Sequence, residues 1–186
     1  MTPEDAAAAL LEKAGLAHRA EPPIDVQHIA EEIEDLDVQE ATDLTGVDGA
    51  PSLPPGATLS GLLVPSARRV WVNALEAQRS AGRRRFTIAH ELGHWRLHCE
   101  DVEAHMRFCR SEEVGATEAE ARTARTIERE ANRFAAALLM PDELLREEAP
   151  RHRLNVQVLA ERFDVSGAAM QVRLESLNLL PDYMKR

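Results

Sequence analysis

Apolar residues recur at helical spacing through most of the chain and form short strand-like runs in one central region, and this division predicts the elements. Thr2-Pro3-Glu4-Asp5 combines a capping residue, a first-turn proline and two acids, so a docking helix starts there and its alanine-rich run extends to about Gly15. Ile24, Ile29 and Ile33 predict a second helix after Pro22-Pro23, followed by a short strand around Leu36 to Gln39. From Thr42 to Gly56, glycine, aspartate and proline dominate, which reads as a loop. Thr58 to Val64 and Arg69 to Asn73 read as two strands joined by Pro65-Ser66-Ala67, and Asn73-Ala74-Leu75-Glu76 as a capping box.

The longest periodic segments come next. Phe86, Ile88, Ala89, Leu92, Trp95 and Leu97 recur at helical separations, with no proline between Arg83 and Glu100. Ile127, Ala131, Phe134, Ala135 and Leu138 follow the i, i+4, i+7, i+8, i+11 pattern of a buried helix face. Val156 to Leu174 reads as a helix, a tight Asp164-Val165-Ser166 turn and a second helix beginning at Ser166, which is helix-turn-helix spacing. The expected fold class is α+β: a metal-site domain over residues 1–150, its small antiparallel-containing sheet packed on the Phe86–Leu97 helix, and a helical hairpin over residues 151–186. The stretch from Cys99 to Thr126 is long, acidic and charged, and no role is assigned to it.

Composition narrows this little. With 186 residues and 44% hydrophobic content the chain can build one main core. Nowhere does an apolar run of about 18 residues occur, and Glu4, Asp5 and Glu12 stand where a signal peptide would be basic and then apolar, so a cytoplasmic protein with no membrane partner is expected. Its two cysteines are expected to be thiols. A net charge of −10 opposes general adhesion to nucleic acid and favours basic partners. Arg83-Arg84-Arg85 accordingly reads as a solvated helix start.

The chemistry lies in His90-Glu91-Leu92-Gly93-His94. Histidines four apart share one helix face and can offer nitrogens to one ion, while Glu91, about 100° round the helix, can reach a water on that ion as a general base. Zinc suits these donors: it polarises a scissile carbonyl and acidifies its water, and a carboxylate can pass the proton to the leaving amine. A chain with this composition shows the pattern by accident roughly 0.03 times.

A catalytic zinc site needs a third protein ligand. His98 extends the same row, but three residues stacked along a straight helix cannot converge on one tetrahedral ion, so a packing or supporting role is expected. The metzincin continuation fails, because its glycine and histidine positions are Leu97 and Glu100. Cys99, His105 and Cys109, with His98, lack paired metal-binding spacing and read as ordinary side chains. Glu128 and Asn132 lie four apart beside the apolar face of the later helix. Alone, Glu128 would read as solvated; opposite the histidine helix it reads as the third ligand, with Asn132 placed to support a ligating side chain. Glu130 is the alternative third ligand.

Arg84-Arg85-Phe86-Thr87-Ile88-Ala89-His90-Glu91-Leu92-Gly93-His94, followed by Glu128-x-Glu130-Ala131-Asn132-x-Phe134-Ala135-Ala136-x-Leu138-Leu139-Met140-Pro141, resembles the ImmA/IrrE family of bacterial metallopeptidases. The likeness extends more loosely through Leu59 to Val64 and Val70 to Asn73, about residues 20 to 180 in all. It implies a zincin-like fold, a Zn2+ cofactor held by His90, His94 and Glu128, Glu91 as base, and a soluble intracellular protease that often inactivates a helix-turn-helix repressor.

The expected activity is therefore zinc-dependent cleavage of one or a few regulatory proteins, such as a helix-turn-helix repressor or an antitoxin. The alternatives are a non-catalytic zinc-containing regulator and the toxin of a toxin-antitoxin pair. Direct DNA binding has weak support, because the second helix of the C-terminal pair opens with Gly167, Ala168 and Ala169 rather than basic or amide side chains. An exposed strand beside the site would hold an extended peptide through main-chain hydrogen bonds, although the pattern does not tell which strand is at the edge. His105, His152 and Tyr183 are candidate oxyanion donors only through their chemistry.

Overall fold

The computed structural model describes residues 1–17, 20–50, 58–99 and 118–181. His105, Cys109, Tyr183 and most of the Cys99 to Thr126 connection lie outside these residues.

The N-terminal helix α1 spans Pro3–Lys13, and its capping box is complete, with Thr2 Oγ1 accepting from Asp5 N and Asp5 accepting from Thr2 N, both at 3.1 Å. The second predicted helix is shorter and less regular. Helix α2, Val26–His28, runs into a π-helical turn, Ile29–Ile33, which buries Val26, Ile29 and Ala30 before the chain enters β1, Asp37–Ala41. Strands β2, Gly61–Val64, and β3, Arg69–Asn73, are joined by a 3-10 turn at Pro65–Ala67 and pair antiparallel. Strand β1 pairs parallel with β3, so the order is β1-β3-β2 and β2 is an edge.

Asn73 ends β3 and caps α3, Ala74–Arg79, accepting from Leu75 N and Glu76 N. Ser80 then caps α4, Ala81–His98, the long helix that carries the histidines. Helix α5, Glu118–Leu139, crosses it. Helix α6, Asp142–Arg151, has no apolar stripe that announces it in the sequence; α7, Val156–Phe163, and α8, Gly167–Ser176, are the predicted C-terminal pair. Together the described residues form a mixed α+β structure, mostly helical, with a small three-stranded sheet.

The core runs through the middle of this stack. Ile88, Ala89 and Leu92 on α4 and Phe134, Ala135 and Leu138 on α5 are completely buried, in one cluster with Val70 and Val72 of β3. Leu159, Phe163, Met170 and Leu174 of the C-terminal pair belong to the same cluster. Where α4 and α5 cross there is no room for a side chain: a Cβ on Gly93 would lie 3.0 Å from Ala131 Cα and 3.1 Å from its carbonyl oxygen. Backbone therefore meets backbone one residue before His94 and three after Glu128.

Two buried carboxylates brace the assembly. Glu34 accepts from Lys13 Nζ at 2.9 Å and Trp95 Nε1 at 3.0 Å, tying α1 and the far end of α4 to the turn after α2. Glu148, only 2% exposed, bonds Arg151 at 2.7 Å, His152 at 3.3 Å and Arg162, joining α6 to α7. Burial works to raise the Glu148 carboxyl, but the hydrogen bonds from Arg162 and Arg151 outweigh it and hold the group below its ordinary 4.5. A carboxylate lowered on folding stabilises the fold fully above its unfolded pKa, and this is lost as pH falls through the folded value. Glu148→Gln is thus expected to lower stability by about 1–3 kcal/mol at pH 7. The gap between wild type and variant should shrink below about pH 4.5, which urea unfolding at pH 7 and pH 3.5 will measure.

Candidate metal centre

Helix α4 puts His90 and His94 on one face, their Nε2 atoms 3.0 Å apart and their rings edge to face at 4.6 Å. Glu128 comes from α5 and fills the gap between them, with Oε2 3.4 Å from His90 Nε2 and Oε1 3.1 Å from His94 Nε2. Four donors at 2.0–2.1 Å around a tetrahedral ion stand about 3.3 Å from one another. The two imidazole nitrogens, and the carboxylate oxygen nearest each of them, therefore stand at separations close to that value. Among the described residues these three form the cluster able to hold a metal.

One turn beyond Glu128, Asn132 Oδ1 lies 3.2 Å from His90 Nδ1. An amide oxygen accepts, so Nδ1 carries a proton, and Nε2, which faces Glu128 and His94, is the nitrogen that can bind an ion once its own proton has left. Glu130 is placed elsewhere: its Oε2 is 3.8 Å from His98 Nε2, one turn past His94 and outside the donor trio. Burial, followed by the His94 charge, lowers the pKa of His98. The Cys99 thiol is pushed up to about 11 by burial and by the Glu91 charge, so it stays protonated at neutral pH.

The donors are electrically coupled. At Glu128 burial raises the carboxyl, but hydrogen bonds from His90 and His94 dominate and drive it far below the carboxylate range. His90 is raised despite the opposing effect of burial, because Glu128 bonds it and Glu91 adds negative charge. A divalent cation is the alternative partner that this acid and these two imidazoles are arranged to accept.

Glu91 is held apart from the trio. It is 7% exposed, and burial raises its carboxyl, against the lowering effect of the His90 and His94 charges and of a hydrogen bond from the Leu63 N–H of β2. The strand comes so near that a Cβ on Gly61 would meet Glu91 Oε1 at 2.6 Å and Thr87 Cγ2 at 2.5 Å. Gly61 is thus a close-packed position beside the site that the motif does not reveal; its signal is a glycine inside a strand, which marks close backbone approach.

These groups open onto a cleft of about 680 Å³. Residues Leu59 to Leu63 form one side and α4 from Gly82 to His94 the floor, while Val165, Ser166 and Ala169 close one end. His152 is engaged by Glu148 and does not line the cleft.

An α+β domain with a two-histidine, one-glutamate donor set at the floor of an open cleft has the features of a metal-dependent hydrolase. The chain belongs to the Peptidase_M78 family, the IrrE N-terminal-like domain, whose model matches residues 56–175. This is a peptidase family, and the match contains both motif helices. No curated protein matches the chain. Among solved structures, a Mycobacterium tuberculosis transcriptional regulator is similar at 20% identity with a TM-score of 0.62, over 99% of this chain and 49% of that one. The chain thus spans about half the length of that regulator, and the likeness is one of fold. No helix among the described residues is long and apolar enough to cross a membrane.

The donor set makes a direct prediction. Glu128→Ala should reduce metal retention after dialysis at least tenfold by elemental analysis, whereas Glu130→Ala should leave it unchanged. The opposite result would move the third ligand to Glu130.

Proposed function

We propose that the protein is a zinc-dependent endopeptidase that cuts one or a few regulatory proteins, with His90, His94 and Glu128 as ligands, Asn132 supporting His90, and Glu91 as general base. The observation that carries this reading is the position of Glu91: buried, lining the same cleft as His90, His94 and Glu128, yet outside the donor set. A structural site closed by four protein ligands has no use for such a carboxylate.

Zinc held by these residues supplies positive charge that polarises a carbonyl and acidifies water. The chain supplies the rest. Glu91, buried beside the donors and packed against Gly61 of β2, can take a proton from that water and pass it to the leaving nitrogen. Strand β2 is an edge of the sheet and its residues Gly61 to Leu63 line the cleft, where an extended peptide can add as a further strand.

A zincin-like packing over residues 1–150 and a helix-turn-helix-like subdomain over 151–186 fit this reading. We propose a cytoplasmic location and a helix-turn-helix repressor or antitoxin as the substrate; the regulator that shares the fold bears on transcription, and the chain's charge of −10 favours basic segments such as DNA-binding proteins carry.

Glu91→Gln is expected to keep zinc and lose cleavage of candidate repressors by at least a thousandfold in kcat, measured by fragment mass. Retained cleavage would remove Glu91 from the mechanism. Gly61→Ala should keep the fold and zinc while lowering kcat about tenfold to a hundredfold, since the new methyl displaces the Glu91 carboxylate.

A further inference from the structure

The turn between α7 and α8 is built into the cleft. A Cβ on Gly82, in the first turn of α4, would lie 3.0 Å from the Asp164 carbonyl oxygen and 3.5 Å from Val165 Cα. Arg85 Nε reaches the Asp164 carboxylate at 3.3 Å. This contact fixes the C-terminal pair against α4 and puts Val165, Ser166 and Ala169 in the same cleft as His90 and Glu91. A helix-turn-helix reader of DNA presents the start of its second helix to base edges. Here that helix start faces the metal centre.

We propose that the C-terminal helix pair is the specificity wall of the peptidase cleft. Val165 and Ala169, with Phe86, form an apolar subsite that takes an aliphatic substrate side chain two or three residues from the bond to be cut. This inference rests on the peptidase reading above.

The placement follows from helix geometry. Gly82, Phe86 and His90 are four apart and turn toward the cleft, each step advancing about 6 Å. The Phe86 ring stands 6.5 Å from that of His90, and the wall rises from Gly82 one turn further on. An extended peptide advances about 3.3 Å per residue, so the hollow before the wall lies two to three residues from the donors.

The preference follows from the chemistry left exposed there. Phe86, Val165 and Ala169 are half-buried apolar side chains packed against the core. The charged groups nearby are paired with one another, Arg83 with Glu76 at 2.7 Å and Arg85 with Asp164 at 3.3 Å, and the Ser166 hydroxyl is used in capping Ala169 N at 3.1 Å. A polar or charged substrate side chain would lose water there with little in return. The small side chain of Ala169 leaves room for a Leu-sized or Met-sized group.

The test uses the zinc-loaded full chain and its Ala169→Leu variant with a peptide library varied at three positions on each side of the cut, read by mass spectrometry. Wild type should prefer Leu, Ile, Met or Val to Ala, Asp or Lys at one position two or three residues away. Ala169→Leu should lower the Leu-to-Ala ratio of kcat/KM there about tenfold or more, with zinc content and circular dichroism unchanged. The same preference in both proteins, or a charged one, overturns the subsite. If wild type cuts neither the library nor a candidate repressor, the peptidase reading fails; if it cuts no library peptide, the subsite is judged by binding of the same library to Glu91→Gln and to Glu91→Gln/Ala169→Leu. Aliphatic peptides enriched by the first alone support it; equal retention, or none, overturns it.

Discussion

The close crossing of α4 and α5 is the contact on which the metal centre depends. Gly93 lies with its Cα against the Ala131 backbone, and any side chain there would drive the helices apart. Two histidines on one helix can approach an ion from one side only; the third donor must arrive from elsewhere, within a few tenths of an ångström. The crossing does this by bringing Glu128 opposite both imidazoles, and the buried face of Phe134, Ala135 and Leu138 prevents α5 from rolling. Packing and chemistry therefore share one constraint. The same helix that fills the core sets the distance between donors.

Burial also sorts the acids by task. Glu128 and Glu91 are both carboxylates near the same histidines, yet one is driven strongly acidic and the other is raised. Glu128 hydrogen-bonds both imidazoles directly, which stabilises its charge. Glu91 is more deeply enclosed, with a strand amide as its hydrogen-bond donor, so burial dominates. Divergent environments for neighbouring titratable groups are how one site assigns a charged ligand and a proton carrier at a single pH.

Much of this arrangement is legible in the sequence because the two metal helices bury long periodic faces. His90, His94, Glu128 and Asn132 occupy recognisable places on those faces, and the geometry brings the four together as their spacing implies. The strand pair around Pro65–Ala67 was equally readable, whereas the parallel partner β1 and the edge position of β2 are properties of the sheet, which a linear pattern does not encode. Irregular pieces were less visible. The π-helical turn at Ile29–Ile33 breaks the 3.6-residue period, and α6 is a mostly charged segment between Pro141 and its internal Pro150. Glu34 sits within Glu31-Glu32-Ile33-Glu34-Asp35, where nothing local distinguishes the buried acid from its exposed neighbours. Gly61 and Gly93 matter through what approaches them in space.

Glu91 and the three donors are braced by different parts of the chain. Strand β2 positions Glu91, while α5 completes the ion-binding trio. Such a split makes the two separable in evolution: drift in a four-residue strand can move the Glu91 carboxylate and leave the donor trio intact. A lineage built on this scaffold can rework the acid beside the site without touching the residues that face one another across the helix crossing.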